Sequence, residues 1–254
     1  MGGNWKLRIV NRDKGLDFGE RTRFKGRMMT RRTLFVMSAA AAAGSVMNGS
    51  VVGEEAAMVA LFDGKTLEGW TNPYEWGVAE VKDGEIHLTA DRKFFLVTKE
   101  TYGDFVFEGE VHLPEGQANS GFMFRAHVEK NKVFGYQAEV DGDAKRKWSG
   151  GLYDEGRRAW FISPAKADPK KAGAAAVGQV DEAAFRARAG DAFKRNEWNK
   201  YRITCRGKKL TIEVNGVVTT DCEDGVDASG VIGIQHHGEK GATYRFRNLK
   251  IRKL

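Results

Sequence analysis

Three short runs of the chain place chemically capable groups at every second position. In Gly121 to Ala126, Phe122 and Phe124 alternate with Met123 and Arg125. In Phe134 to Asp141, Tyr136, Ala138 and Val140 alternate with Gln137, Glu139 and Asp141. In Val231 to Gly238, Ile232 and Ile234 alternate with Gln235 and His237. Successive side chains of a strand point to opposite faces, so each run buries one set and presents the other. Carboxylate, amide, guanidinium and imidazole groups then share one kind of face. An imidazole with an ordinary pKa near 6.5 suits proton transfer at neutral pH. His237 or Glu139 is therefore a candidate base, and Arg125, Gln137 and Gln235 are candidate donors to an oxyanion or a hydroxyl. His236 falls on the buried parity and reads as a hydrogen-bonded core histidine. Glu139 and Asp141 lie about 6.6 Å apart along a strand, near the carboxyl separation of retaining glycoside hydrolysis. The same two residues also read as a solvated face or as hard ligands for a calcium ion, and Arg125 as a plain ion-pair partner of Glu139.

The elements that must position these groups are short alternating runs bounded by Gly, Asn or Asp, the pattern of an antiparallel sandwich. Eleven strands are expected: 76–81, 85–90, 94–98, 104–113, 121–127, 134–141, 201–206, 210–214, 217–220, 230–236 and 242–254. In the fourth, Phe105, Phe107, Val111 and Leu113 share the core face, opposite Glu108, Glu110 and His112. An Ala-rich stretch, 165–195, reads as an inserted loop with one short helix at 182–189. Trp148, Tyr153 and Trp160 flank Gly150 and Gly151 in an expected loop, where aromatic rings can stack on a sugar face. Trp70, Trp76 and Trp198 read as core. Cys205 and Cys222 fall on the outer strands of a three-strand meander, about 9.5 Å apart at ~4.8 Å per strand step, beyond the ~7 Å limit for a disulfide. Both are expected as free thiols.

Charge has an address along the chain. The 254 residues hold 41 Lys and Arg against 34 Asp and Glu, a formal +7, but residues 1–53 account for ten of the basic and three of the acidic groups. The remainder carries 31 of each sign, so no basic footprint for nucleic acid is expected on the domain. Arg31 and Arg32, the apolar run after them and Ala39 to Ala43 have the layout of an export signal of twin-arginine type, with Met28 or Met29 as a conventional start. Its apolar stretch is shorter than the roughly 20 residues of a membrane-spanning helix. Residues 1–57 are therefore expected to be a leader handled by export machinery and cleaved between Gly44 and Ala57. Residues 58–254 are expected to form one domain, periplasmic or extracellular, with no stable membrane span.

Several blocks resemble the 3-keto-disaccharide hydrolase family: Leu61 to Trp70, Asn119 to Arg125, Gly135 to Asp141, Gly150 to Asp154, Glu197 to Asn199, Gly233 to Gly238 and Phe246 to Ile251. The resemblance implies a concanavalin A-like jelly-roll β-sandwich and action on glycosides whose C3 hydroxyl has been oxidised to a ketone. A base would take the C2 hydrogen, an oxyanion-stabilising donor would hold the enolate, and elimination at C1 followed by hydration would release the sugar. His237, Glu139 and Asp141 are the catalytic candidates on this reading, with Arg125, Gln137, Gln235, Asn119, Trp148 and Tyr153 positioning a carbohydrate substrate. The alternative is a non-catalytic, lectin-like carbohydrate-binding module on the same face. A retaining glycoside hydrolase is the lesser alternative, because the Glu-x-Asp-x-x-Glu of laminarinase-like sandwiches ends here in Ala144. Nothing in the sequence requires a cofactor, a calcium ion is not excluded, and no Gly-rich dinucleotide fingerprint occurs.

Overall fold

Fifteen strands and one helix make up the regular structure of the computed structural model, which describes residues 56–116, 118–162 and 182–254. The expected leader lies outside the described residues up to position 55, and so does the expected insertion up to position 181. In chain order the strands are β1 (Val59–Ala60), β2 (Trp70–Thr71), β3 (Val78–Lys82), β4 (Glu85–Thr89), β5 (Phe94–Tyr102), β6 (Phe105–His112), β7 (Asn119–Glu129) and β8 (Lys132–Asp141). There follow β9 (Leu152–Glu155), β10 (Ala159–Ile162), the helix α1 (Glu182–Ala189), β11 (Asn199–Arg206), β12 (Lys209–Val214), β13 (Val217–Glu223), β14 (Gly230–His236) and β15 (Tyr244–Lys253).

One sheet runs β13-β12-β11-β6-β15-β4-β3 with β1 added to β15, and the other runs β10-β9-β8-β7-β14-β5-β2. All pairings are antiparallel. Alternation places the core as expected. Phe107 of the first sheet packs 5.5 Å from Phe122 of the second, which also meets Tyr201 at 5.1 Å and Phe246 at 5.8 Å, ring centre to ring centre. Full burial of such a ring contributes about 2–3 kcal/mol, so the inward faces hold the layers together. Among the described residues no helix is long and apolar enough to cross a membrane.

The outer face of the first sheet is tiled with ion pairs. Glu108 meets Lys200 at 3.0 Å, Arg202 at 2.6 Å and Lys250 at 3.2 Å, and Glu110 meets Arg247 at 2.7 Å. Trp198 lies on this face rather than in the core: Arg247 stacks 4.0 Å over its ring. Trp70 is buried, its indole N–H donating to the Leu61 carbonyl at 2.7 Å, and Trp76 is only partly buried.

All eleven expected strands form, and the structure adds β1, β2, β9 and β10. The last two replace the loop expected around Tyr153 and Trp160, which stand opposite each other in a paired ribbon. Four-residue strands are too short for alternation to separate from a loop. The meander β11-β12-β13 sets Cys205 and Cys222 on either side of Leu210. Both are free thiols, Cys205 buried, and burial pushes each up to about 12.

Candidate active site

The second sheet leaves its outer face for chemistry. Part of that face is apolar, with Phe95, Val97, Met123, Ala126, Val133 and Val231 packed together. Beside this patch the outward positions turn polar and a cleft of about 300 Å³ opens, with Asn119, Gln137, Glu139 and Gln235 among its lining residues. Trp148 and Tyr153 line it as well, with His237, Glu239, Lys93, Glu155 and Arg146.

Glu139 is the centre of this arrangement. Its side chain is almost wholly buried, at 3% exposure. Asn119 Nδ2 donates to Oε1, and Gln137 Nε2 donates to Oε2 at 3.0 Å. Burial pushes its carboxyl up to about 7; the two amides pull back against that, and the Asp141 charge adds to it. Gly121, directly opposite Glu139 on β7, makes room for the neighbouring amide. A Cβ there would fall 2.4 Å from Gln137 Cγ and Cδ, inside any permissible contact. Gln137 lies across this gap, and Gln235 Nε2 donates to its Oε1 at 3.4 Å.

The end of β14 supplies the imidazoles. His236 is fully buried, accepts the Gly238 N–H on Nδ1 at 3.0 Å and donates from Nε2 to the Ala242 carbonyl at 3.1 Å. Burial holds its pKa below the ordinary value, so it is a neutral core histidine. His237 emerges on the cleft side with Nδ1 3.1 Å from Glu239 Oε1. That hydrogen bond raises the imidazole pKa against a partial burial that lowers it. Glu239 is held down to about 2: burial works to raise it, but the hydrogen bonds from His237 and Tyr244 prevail. With Nδ1 committed to Glu239, Nε2 is the nitrogen that can serve a substrate.

A sequence profile of the 3-keto-α-glucoside-1,2-lyase-like domain matches residues 57–252. The chain belongs to this family. Solved structures agree in fold. Two Parabacteroides distasonis proteins assigned as glycosyl hydrolases superpose on it. One has a TM-score of 0.51 at 17% identity, covering 78% of this chain and 94% of its own. The other has a TM-score of 0.50 at 23% identity, covering 78% and 100%. A Bacillus subtilis protein with a galectin-like fold superposes with a TM-score of 0.51 at 12% identity over 79% of this chain and 97% of its own. The architecture is thus a concanavalin A-like jelly-roll sandwich. No curated protein matches the sequence.

In this 3-keto-α-glucoside-1,2-lyase-like domain the cleft gathers seven residues nominated from sequence: Asn119, Gln137, Glu139, Trp148, Tyr153, Gln235 and His237. Two nominees are not brought to it. Strict alternation places Arg125 on this face, but its backbone takes φ 45° where the β7–β8 register shifts between Phe124 and His127. The side chain is 1% exposed and donates to the carbonyls of Gly103, Gly207 and Asp227, and to Asp104 Oδ1 at 2.8 Å. Asp104, not Glu139, is its ion-pair partner.

Asp141 keeps the expected parity but does not line the cleft. Its Oδ1 accepts from Arg146 at 2.8 Å and from the Asp143 N–H at 3.0 Å, and its Oδ2 from the Trp148 N–H at 3.2 Å. It orders the turn that delivers Arg146 and Trp148 to the cleft wall, with Arg146 5.0 Å over the indole. The Glu139 and Asp141 pair required for retaining hydrolysis is therefore not assembled. Both carboxylates face N–H donors, and among the described residues no group of three or more His, Cys, Asp or Glu gathers as for a metal ion.

Four cleft residues escaped the sequence reading. Lys93 precedes β5 and pairs with Glu155 at 2.5 Å. Glu155 sits two residues after Tyr153, a same-face spacing that becomes visible once β9 is recognised. Arg146 and Glu239 come from turns, where no periodicity operates, although the i, i+2 spacing of His237 and Glu239 is a weak local signal.

Proposed function

We propose that the cleft cleaves the glycosidic bond of 3-keto-glycosides by elimination across C1 and C2, followed by hydration. The observation that carries this reading is Glu139, a buried carboxyl in the cleft wall whose pKa of about 7 suits it to exchange a proton near neutral pH. A ketone at C3 acidifies the C2 hydrogen. Glu139 takes that proton and the electron pair moves into the enolate. As the enolate collapses, the C1–O bond breaks and the departing oxygen takes a proton from the His237 imidazolium. Water then adds across the new C1=C2 bond, so that glycoside and water become a 3-keto sugar and an alcohol. Lys93 and Arg146, the other cations of the cleft, serve the enolate oxygen. Donors aimed at such an oxyanion contribute roughly 10² to 10³ in rate.

Incubation of the purified protein with 3-keto-trehalose and a panel of 3-keto-glucosides tests the reading, with release of sugar as the expected result. A second reading rests on Trp148 and Tyr153 at the cleft wall and on the galectin-like architecture: a carbohydrate-binding module without turnover. Saccharide binding with no release from any keto-substrate would establish that second reading and overturn the first. Export by the twin-arginine-like leader belongs to the same proposal, and N-terminal sequencing of the mature protein checks it.

A further inference from the structure

Donors and acceptors along the cleft wall run in one direction. An ionised carboxylate only accepts, so Gln137 must turn its Nε2 toward Glu139, as the 3.0 Å contact shows. That rotation presents Gln137 Oε1 to Gln235, which must answer with its own Nε2, at 3.4 Å. The last atom of this relay, Gln235 Oε1, is a buried acceptor with no hydrogen-bond partner among the described residues. Gln235 is 1% exposed and lines the cleft, and an acceptor left unpaired in such a place forgoes the hydrogen bond it would make to water.

We propose that Gln235 is a specificity-determining residue whose Oε1 accepts a hydrogen bond from a hydroxyl group of the bound sugar. The polarity of the relay excludes the ketone from that position, because a carbonyl there would set two acceptors against each other. Gln235 therefore reads a carbinol of the ring, and the enolate oxygen takes its donors from the cations instead. In this relay one N–H of Gln137 Nε2 serves Glu139 and one N–H of Gln235 Nε2 serves Gln137. The inference deepens the proposed function and rests on its placing of a sugar in this cleft.

The test uses binding rather than turnover. Dissociation constants are measured for methyl α-D-glucopyranoside and its 2-, 4- and 6-deoxy and deoxyfluoro analogues, none of which carries the ketone that elimination needs. One position is expected to lose about tenfold in affinity in both the deoxy and the fluoro analogue, since fluorine cannot donate. In a Gln235→Leu variant that discrimination vanishes, while the other positions keep theirs. Equal affinities at every position in the wild-type protein would overturn the proposal, whatever the variant does, and so would discrimination that survives in Gln235→Leu or no binding by any member of the series. Should discrimination appear without release of sugar from any 3-keto-glucoside, the lyase reading fails and the role of Gln235 stands. Release of sugar without discrimination has the opposite meaning.

Discussion

His237 Nδ1 lies 3.1 Å from Glu239 Oε1, two residues further along the chain. The carboxylate favours the charged imidazole and raises its pKa. Replacing Glu239 by Gln removes that charge, so the His237 pKa should fall back toward its ordinary value. An NMR titration of the ring should show the midpoint moving to lower pH, and the alkaline limb of the kcat/KM profile should move with it. An unmoved midpoint would show that the contact does not set the imidazole's proton affinity.

Glu139 should govern the acid limb. As a base it must be ionised, so kcat/KM is expected to rise as pH passes about 7. Glu139→Gln should lower turnover by about 10² to 10⁴-fold with the fold intact by circular dichroism. The same residue makes stability depend on pH. Its folded pKa of about 7 lies above the ordinary 4.5, so between those values the folded chain binds more protons than the unfolded one, and stability falls as pH rises. The span corresponds to roughly 3 kcal/mol. Urea unfolding at pH 5 and pH 8 should show this loss in the wild-type protein and a smaller one in Glu139→Gln.

Gly121 should be a functional position that looks structural. Its substitution by Ala drives a Cβ into Gln137 Cγ and Cδ at 2.4 Å, and the flexible amide will swing off Glu139 before the backbone yields. Overpacking of this kind costs about 1–3 kcal/mol, visible as a lower Tm. The accompanying loss of the amide that holds Glu139 should raise the pKa of that base and reduce kcat at neutral pH. A drop in Tm with unchanged kcat would separate Gln137 from the chemistry.

Arg125 should behave in the opposite way. It ties the Gly103, Gly207 and Asp227 carbonyls to Asp104 from a buried position. Arg125→Met should cost roughly 3–5 kcal/mol by stranding those acceptors, measured as a lowered urea midpoint. Molecules that remain folded should keep the wild-type kcat. A selective loss of kcat at unchanged stability would contradict its placement away from the cleft.

Much of this architecture is legible in the chain because side-chain alternation is a local property of extended backbone. The inward parity of Phe122, Ile234 and His236 and the outward parity of Gln137, Glu139, Gln235 and His237 follow from neighbours one and two residues away. The family blocks add the sandwich, and the spacing of Cys205 and Cys222 across a meander already excludes a bridge. What defeats this reasoning is any departure from regular strand. A positive φ at Arg125 re-aims one guanidinium, and strands as short as β9 and β10 carry too few residues for a period to register.

Tertiary structure decided the remainder. Lys93, Arg146, Glu155 and Glu239 meet Glu139 in one cleft only because the sheet order brings β5, β8, β9 and β14, or the turns beside them, to one region of one face. No local pattern encodes that neighbourhood. Alternation sets which groups of a regular strand look outward; packing sets which of them lose water. Burial lifted Glu139 into the neutral range, while donors from the 142–149 turn engaged the Asp141 carboxylate two residues away on the same strand. Proton affinity depends on the solvent and charges around a group, and those are set by chain segments distant in sequence.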